Sequence, residues 1–189
     1  MTILAIVIAI AVVIVVSTIV VFNALIAKRQ MAHNGWSDID VQLKRRADLI
    51  PQLVSTVQGY AAHERQLFAD IAEKRSAALA AGDDPTKRGV AESELSRPIG
   101  RLVALAEGYP DLKASGNFLD LQKQLADTED KVEMARRFYN GAVRELNTLV
   151  ETFPANVVAG LFGVGKRSYF EIANDADRAV PGVTTGIGQ

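Results

Sequence analysis

Residues 118–149, FLDLQKQLADTEDKVEMARRFYNGAVRELNTL, decide the fold class of this 189-residue chain. Along this stretch, spacings of three and four alternate between apolar positions, one of which is a threonine: Phe118, Leu121, Leu125, Thr128, Val132, Ala135, Tyr139, Ala142, Leu146 and Leu149. That spacing places all of them on one face of an α-helix. A seam this regular favours packing against another helix at a crossing angle of about 20°, as in coiled coils and helical bundles.

The segment upstream carries a second seam of the same kind. Its positions are Trp36, Ile39, Leu43, Arg46, Ile50, Leu53, Val57, Tyr60, Glu64, Leu67, Ile71, Lys74 and Ala78. We expect one helix from about residue 27 to residue 80, kinked or broken at Pro51, because a proline inside a helix costs about 3 kcal/mol. The seam includes three charged residues, Arg46, Glu64 and Lys74. We expect their apolar stems to be buried and their charged heads to stay in water, rather than to form a buried charge site.

Two clusters of turn-forming residues flank a middle helix. They are AGDDP at residues 81–85 and GYPDLKASG at residues 108–116, and both are short enough to join antiparallel helices. The middle helix is predicted from about Pro85 to Tyr109, with Pro98 inside it. No alternating apolar pattern predicts a strand. The predicted fold class is therefore all-α, with a single amino-terminal transmembrane helix followed by an elongated antiparallel bundle of long helices.

The membrane segment is predicted from Ile3 to Ile26, a stretch that is apolar on every side and carries no charge. As a helix it is about 36 Å long, against about 30 Å of bilayer hydrocarbon. A buried soluble helix would have a polar stripe, and a cleaved signal peptide would have a shorter apolar core after a basic residue. Lys28 and Arg29 follow directly, so the positive-inside rule places the amino terminus outside the cell and the helical domain in the cytoplasm.

Composition and motifs argue against several kinds of site. The net charge of −1 gives no sign of nucleic-acid binding, and the absence of cysteine excludes disulfides and thiolate metal sites. His63 and Glu64 begin like a zinc-protease motif, but Leu67 stands where the second histidine is required. Residues 160–167, GLFGVGKR, nearly match a phosphate-binding loop, but Arg167 replaces the hydroxyl residue that holds magnesium. We expect a glycine turn there, and no catalytic, cofactor or metal site.

An acidic run near the middle of the third helix could suggest a cation site. Its members are Asp127, Glu129, Asp130 and Glu133. Glu133, however, precedes Arg136 and Arg137 by three and four residues, which is the spacing of neighbours on a helix surface. We therefore expect a solvated face with local ion pairs.

The base of the first helix carries an apolar stripe that consists of Trp36, Ile39, Leu43 and Ile50. Counting helix lengths predicts that the middle helix returns only to about residues 53–57, which leaves this stripe without a partner in its own chain. A reversal at Pro51 or the carboxy-terminal segment could cover it instead. Otherwise the stripe is a candidate seam for a homo-oligomer or for a partner helix.

A short apolar segment follows the third helix. A new helix is predicted to start at Pro154, because proline suits the first position of a helix. The candidate interfacial residues are Phe153, Val157, Val158, Leu161 and Phe162. The segment either caps the end of the bundle or contacts the membrane interface or a partner.

Several strings of the sequence resemble the bacterial LemA family. They are NGWSDIDVQLKRRADLIPQLVSTVQGYAAHE at residues 34–64, GRLVALAEGYPDLKAS at residues 100–115, and FLDLQKQLADTED, ARRFYNGAVRELNTLVETFP and KRSYFEI within residues 118–172. The resemblance covers about residues 22–172, with Gly35 and Pro98 as departures. It implies a membrane anchor and an elongated antiparallel helical bundle in the bacterial inner membrane. It implies no enzymatic reaction.

The chain thus divides into an anchor at residues 1–27, a helical bundle at residues 28–172 and a tail at residues 173–189 that we expect to be disordered. The leading hypothesis is a non-enzymatic membrane-anchored scaffold that oligomerises or docks another membrane protein. One alternative is a protein that remodels the bilayer directly. Another, suggested by the associations of family members, is an adaptor of a membrane protease.

Overall fold

The computed structural model describes residues 1–172, and in this range the chain forms helices and their connections with no strand. The helices are α1 (Thr2–Gln58), α2 (Arg65–Ala80), α3 (Pro85–Ala106), α4 (Pro110–Lys113), α5 (Gly116–Glu151) and α6 (Ala155–Leu161). The prediction of an all-helical protein with a long apolar amino-terminal helix is confirmed. The expected disordered tail lies outside the described residues.

The first helix differs from the prediction in its length. It runs through Pro51 without a break, ends at Gln58, and is followed by a separate α2. Proline has no N–H for the carbonyl group four residues earlier, and in α1 that carbonyl belongs to Ala47. Arg75 of α2 donates its Nε–H to this oxygen at 2.6 Å. The hydrogen bond that Pro51 cannot make is therefore replaced by one from a neighbouring helix.

The helices α1 and α5 form the long axis of the domain. Asn117, at the start of α5, donates to Thr56 Oγ1 at 3.3 Å, and near the other end Lys28 Nζ lies 2.6 Å from Glu145 Oε2. The two helices therefore run in opposite directions. Gly35 lets them come close, because a Cβ atom there would lie only 3.1 Å from the Cα of Tyr139. This contact explains a glycine inside α1 where a better helix former was expected.

The two turn regions that flank α3 lie where the sequence predicts them, whereas the connection between α1 and α2 at residues 59–64 was not predicted. Asp84 caps α3 by accepting hydrogen bonds from the backbone N–H groups of Thr86 and Lys87, and Pro85 occupies the first turn. The second turn region contains the short α4. Pro98 lies inside α3 and is buried.

The apolar core consists of three clusters along this axis. The distal cluster joins α1, α2, α3 and α5 and includes Leu53, Ile71, Leu102 and Leu121. The middle cluster joins the base of α1 to α5 around Trp36 and Tyr139, and the proximal cluster joins Leu25 and Leu146 to α6. The positions of the features described below are given relative to these three clusters.

Candidate functional site

The stripe on the base of α1 is buried inside its own chain. Trp36, Ile39, Leu43 and Ile50 all lie in the core, and the first three pack against α5 in the middle cluster. The expectation that the stripe lacks a partner in its own chain is therefore wrong. The reason is that α5 starts beside the upper end of α1 and, at 36 residues or about 54 Å, covers its whole base. Self-association stays a prediction, but it needs another surface.

The stripe is also covered by residues 164–172, which we call the closing segment. This was one of the two alternatives that the sequence left open. Asn147 of α5 exchanges two hydrogen bonds with the backbone of Arg167, at 2.9 and 3.0 Å, and Asn140 exchanges two with the backbone of Phe170, both at 2.9 Å. Seven helical residues span about 10.5 Å and three extended residues about 10 Å. The two asparagines thus match the spacing of the backbone that they hold.

Phe170 anchors the closing segment in the middle cluster. Its side chain is fully buried, and its ring packs edge-on against Trp36 with the centroids 5.6 Å apart. Tyr139 donates its hydroxyl to the carbonyl of Ser168 at 2.8 Å, and burial raises the pKa of this phenol. On the far side, a Cβ atom at Gly89 of α3 would clash with the backbone of the closing segment. Aromatic packing, α5 and α3 together hold this segment in place.

A buried ion cluster lies where α1 and α3 meet above the middle cluster. Arg46 is only 2% exposed, so the expectation that its head stays in water is wrong. Its Nη1 donates to Glu92 Oε2 at 2.9 Å, its Nη2 donates to Ser96 at 2.7 Å, and its Nε lies 2.7 Å from Glu129 Oε1. Arg88 Nε lies 3.2 Å from the other oxygen of Glu92. Both oxygens of the buried carboxylate are therefore paired with a guanidinium group.

The buried charges of this cluster hold α3 against α1. Burial raises the pKa of Glu92, and the charges of Arg46 and Arg88 oppose the rise. Breaking such a pair leaves an uncompensated buried charge, so the cluster fixes the position of α3 against α1. One weak sequence signal could have found it, since Arg88 and Glu92 are four residues apart on one helix.

Asp127, Asp130 and Glu133 of the acidic run lie at or near the surface, as the sequence predicts, whereas Glu129 pairs with the buried Arg46 of α1. Glu133 Oε2 lies 2.5 Å from Arg136 and its Oε1 3.5 Å from Arg137. Within residues 1–172 no group of acidic and histidine side chains is arranged to hold a metal ion. An open cleft of about 540 Å³ beside Trp36 carries both Asp40 and Arg167 in its lining, so its charge favours no single ligand class.

The segment after Pro154 forms the short helix α6, as predicted, and it presents two different faces. Val158 belongs to the proximal cluster with Leu25 of α1. Four of the five candidate interfacial residues are exposed: Phe153 by 79%, Val157 by 53%, Leu161 by 75% and Phe162 by 54%. A segment that only capped the bundle would bury these side chains.

The position of α6 along α1 is set by direct contacts. The rings of Phe22 and Phe162 pack with centroids 4.6 Å apart. The following residue, Gly163, has a φ of +65° and makes the expected glycine turn. The helix α6 is therefore level with residues 21–25 of α1, at the end of the apolar stretch.

Comparison with known proteins identifies relatives of this chain. A family model described as the LemA family matches residues 35–184, so the match begins and ends later in the chain than the resemblance over residues 22–172. The magnetosome protein MamQ of Magnetospirillum gryphiswaldense is 23% identical, over 79% of this chain and 64% of its own. The protein LemA of Metamycoplasma hominis is 28% identical, over 72% of this chain and 63% of its own. The chain thus spans less than two thirds of the length of these curated relatives.

Proposed function

This chain belongs to the LemA family, and we propose that it is a non-enzymatic scaffold of the bacterial inner membrane. In this proposal α1 anchors an elongated antiparallel bundle, and the bundle docks another membrane protein. One observation carries the proposal. A single helix, α1, contains both an 18-residue apolar window that is not buried in the protein, of a length and composition that could cross a membrane, and the base on which α5 packs.

A shared helix couples the anchor rigidly to the domain. Residues 27–58 of α1 correspond to about 48 Å of helix beyond the predicted span. The distal cluster would then lie well above the bilayer, at the end of a stalk reinforced by α5. A rigid stalk of this kind suits a protein that holds a docking surface at a fixed height.

The arrangement of charged groups supports a role without catalysis. Both oxygens of the buried Glu92 are paired with arginines, and His63 is exposed. General acid catalysis and nucleophilic catalysis require positioned, accessible groups. The names of the relatives, LemA and MamQ, refer to no reaction either.

A photo-crosslinking experiment in native membranes tests the docking. Met134 and Phe138 are large exposed apolar residues four positions apart on α5, which makes them suitable sites for a photoreactive amino acid. Leu79, a large exposed apolar residue on α2, is the matched control. We expect discrete adducts with a membrane protein from the first two sites and not from the control. The same diffuse background from all three sites would contradict docking on this face.

Direct remodelling of the bilayer is the second candidate function. The exposed apolar residues of α6 at the end of the apolar stretch favour it. In this case the purified full-length chain should deform vesicles by itself. A scaffold should leave their shape unchanged.

A further inference from the structure

The depth of α6 follows from the length of the predicted span. From Ile3 to Ile26 the helix is about 36 Å long, which exceeds the hydrocarbon thickness of about 30 Å by roughly one turn. The 20 residues from Ile3 to Phe22 already span about 30 Å. The hydrocarbon boundary therefore falls near Phe22. That is the residue against which Phe162 packs.

The composition of α6 and its flanks suits this depth. Residues 153–165, FPANVVAGLFGVG, contain no charged side chain, and Asn156 is their one polar side chain. Charged groups begin directly outside the segment, with Glu151 before it and Lys166 after it, and these two form an ion pair. The segment can therefore enter the interface without burying a charge.

The exposed face of α6 needs an apolar neighbour. Three large apolar side chains, Val157, Leu161 and Phe162, are each more than half exposed, and Phe153 is the most exposed of the set. Their opposite face is already held by the proximal cluster. A cluster of exposed apolar side chains marks a surface that contacts a membrane or a partner.

We propose that α6, with Phe153 and Phe162, embeds in the interfacial region of the leaflet from which α1 emerges. The partner is the lipid bilayer itself. The proposal rests on the proposed anchoring by α1 and deepens it, because a second contact beside the span fixes the tilt and rotation of the stalk. A single helix alone would leave both free.

Depth measurements on the full-length chain in vesicles test this proposal. The chain has no cysteine, so Leu161→Cys provides a single site for an environment-sensitive fluorophore. In vesicles of phosphatidylcholine and phosphatidylglycerol, we expect a blue-shifted emission that is quenched by lipids brominated near the headgroup. Leu79→Cys on α2 has a comparably apolar, exposed side chain far from α6 and is the control, with an emission typical of water.

A third label separates the failure of this inference from the failure of the anchoring. A fluorophore at Ile14→Cys, in the middle of the apolar stretch, should be quenched by lipids brominated deep in the acyl chains. If Ile14 is deep and Leu161 reports water, the α6 proposal is overturned and the anchor stands. If Ile14 also reports water, both are overturned. Emission from Leu161 that shifts toward water as the protein is diluted into more lipid would assign this face to a second copy and overturn the proposal.

Discussion

Replacement of Phe170 by alanine is the sharpest test of how the base of the stalk is held together. The ring of Phe170 is fully buried in the middle cluster, and it contacts Trp36 edge-on. Removing it leaves a cavity between α1, α5 and the closing segment. The two hydrogen bonds between Asn140 and the backbone of this residue are kept, so the substitution isolates the contribution of the side chain.

The expected magnitude follows from the burial of the side chain. Core Phe→Ala substitutions cost about 3–5 kcal/mol, and less where the site can collapse. The closing segment is not helical and is buried only at Val164 and Phe170, so the site can partly collapse, and we take the lower figure of about 3 kcal/mol. For a domain of this size each kcal/mol lowers Tm by about 2–4 °C, which gives an expected loss of roughly 6–12 °C.

Thermal unfolding of the full-length chain in detergent, followed by circular dichroism at 222 nm, measures this loss. Tyr169→Ala is the matched control, because Tyr169 is the aromatic residue next to Phe170 in the chain and its side chain is 41% exposed. Its loss should change the free energy of unfolding by less than about 0.5 kcal/mol. Equal Tm values for the two variants would show that the closing segment is not part of the folded core. In that case the closing segment would not be what covers the stripe.

Three further predictions concern other parts of the chain. Arg75→Ala should lower the free energy of unfolding by about 1 kcal/mol, because it leaves the carbonyl of Ala47 unpaired. Adding Pro51→Ala should recover part of that loss, as measured by denaturant titration. An equal cost of Arg75→Ala with Pro51 or with alanine at this position would contradict the replacement of the helical hydrogen bond. Burial raises the pKa of Glu92 in the folded state above its ordinary value of 4.5, so the contribution of Glu92 to the free energy of unfolding is fully present below pH 4.5 and is lost as the pH rises through the folded-state pKa. The stability of the unmodified chain relative to Glu92→Gln should therefore fall above about pH 4.5. A rise in this relative stability would refute the burial of Glu92. A cysteine at Thr185 should resist membrane-impermeant thiol reagents in intact cells, as a cytoplasmic domain requires, and labelling from outside would reverse the topology.

Much of the local structure could be predicted from residues that are close together in the chain. The three-four spacing in residues 118–149 predicts α5 nearly to its ends, and the apolar run up to Ile26 predicts the first part of α1. Asp84 and Pro85 mark the start of α3. In each case the interactions that determine the structure join residues within one or two helical turns of each other. A short stretch of sequence therefore contains all the residues that are needed to predict it.

Partners across the fold could not be predicted in this way. The sequence places Arg46 on α1, but its partner Glu92 lies on α3, 46 residues away. Pro51 leaves the carbonyl of Ala47 without its helical hydrogen bond, and Arg75, which supplies the replacement, lies on α2, 28 residues from Ala47. A periodic pattern shows which face of a helix is buried, and it does not show what covers that face. That choice depends on where α1 ends, since a helix that stops at Gln58 lets α5 return along its entire base.

The sequence by itself determined the helical class, the apolar stretch at the start of α1 and the short helix after Pro154, because each depends on the local order of side chains. Only the tertiary structure decided that Phe170 covers the stripe and that α6 lies level with Phe22. Those two facts depend on the antiparallel alignment of α1 and α5. This alignment is set by packing between α5 and residues 25–57 of α1, and no short stretch of sequence contains that packing.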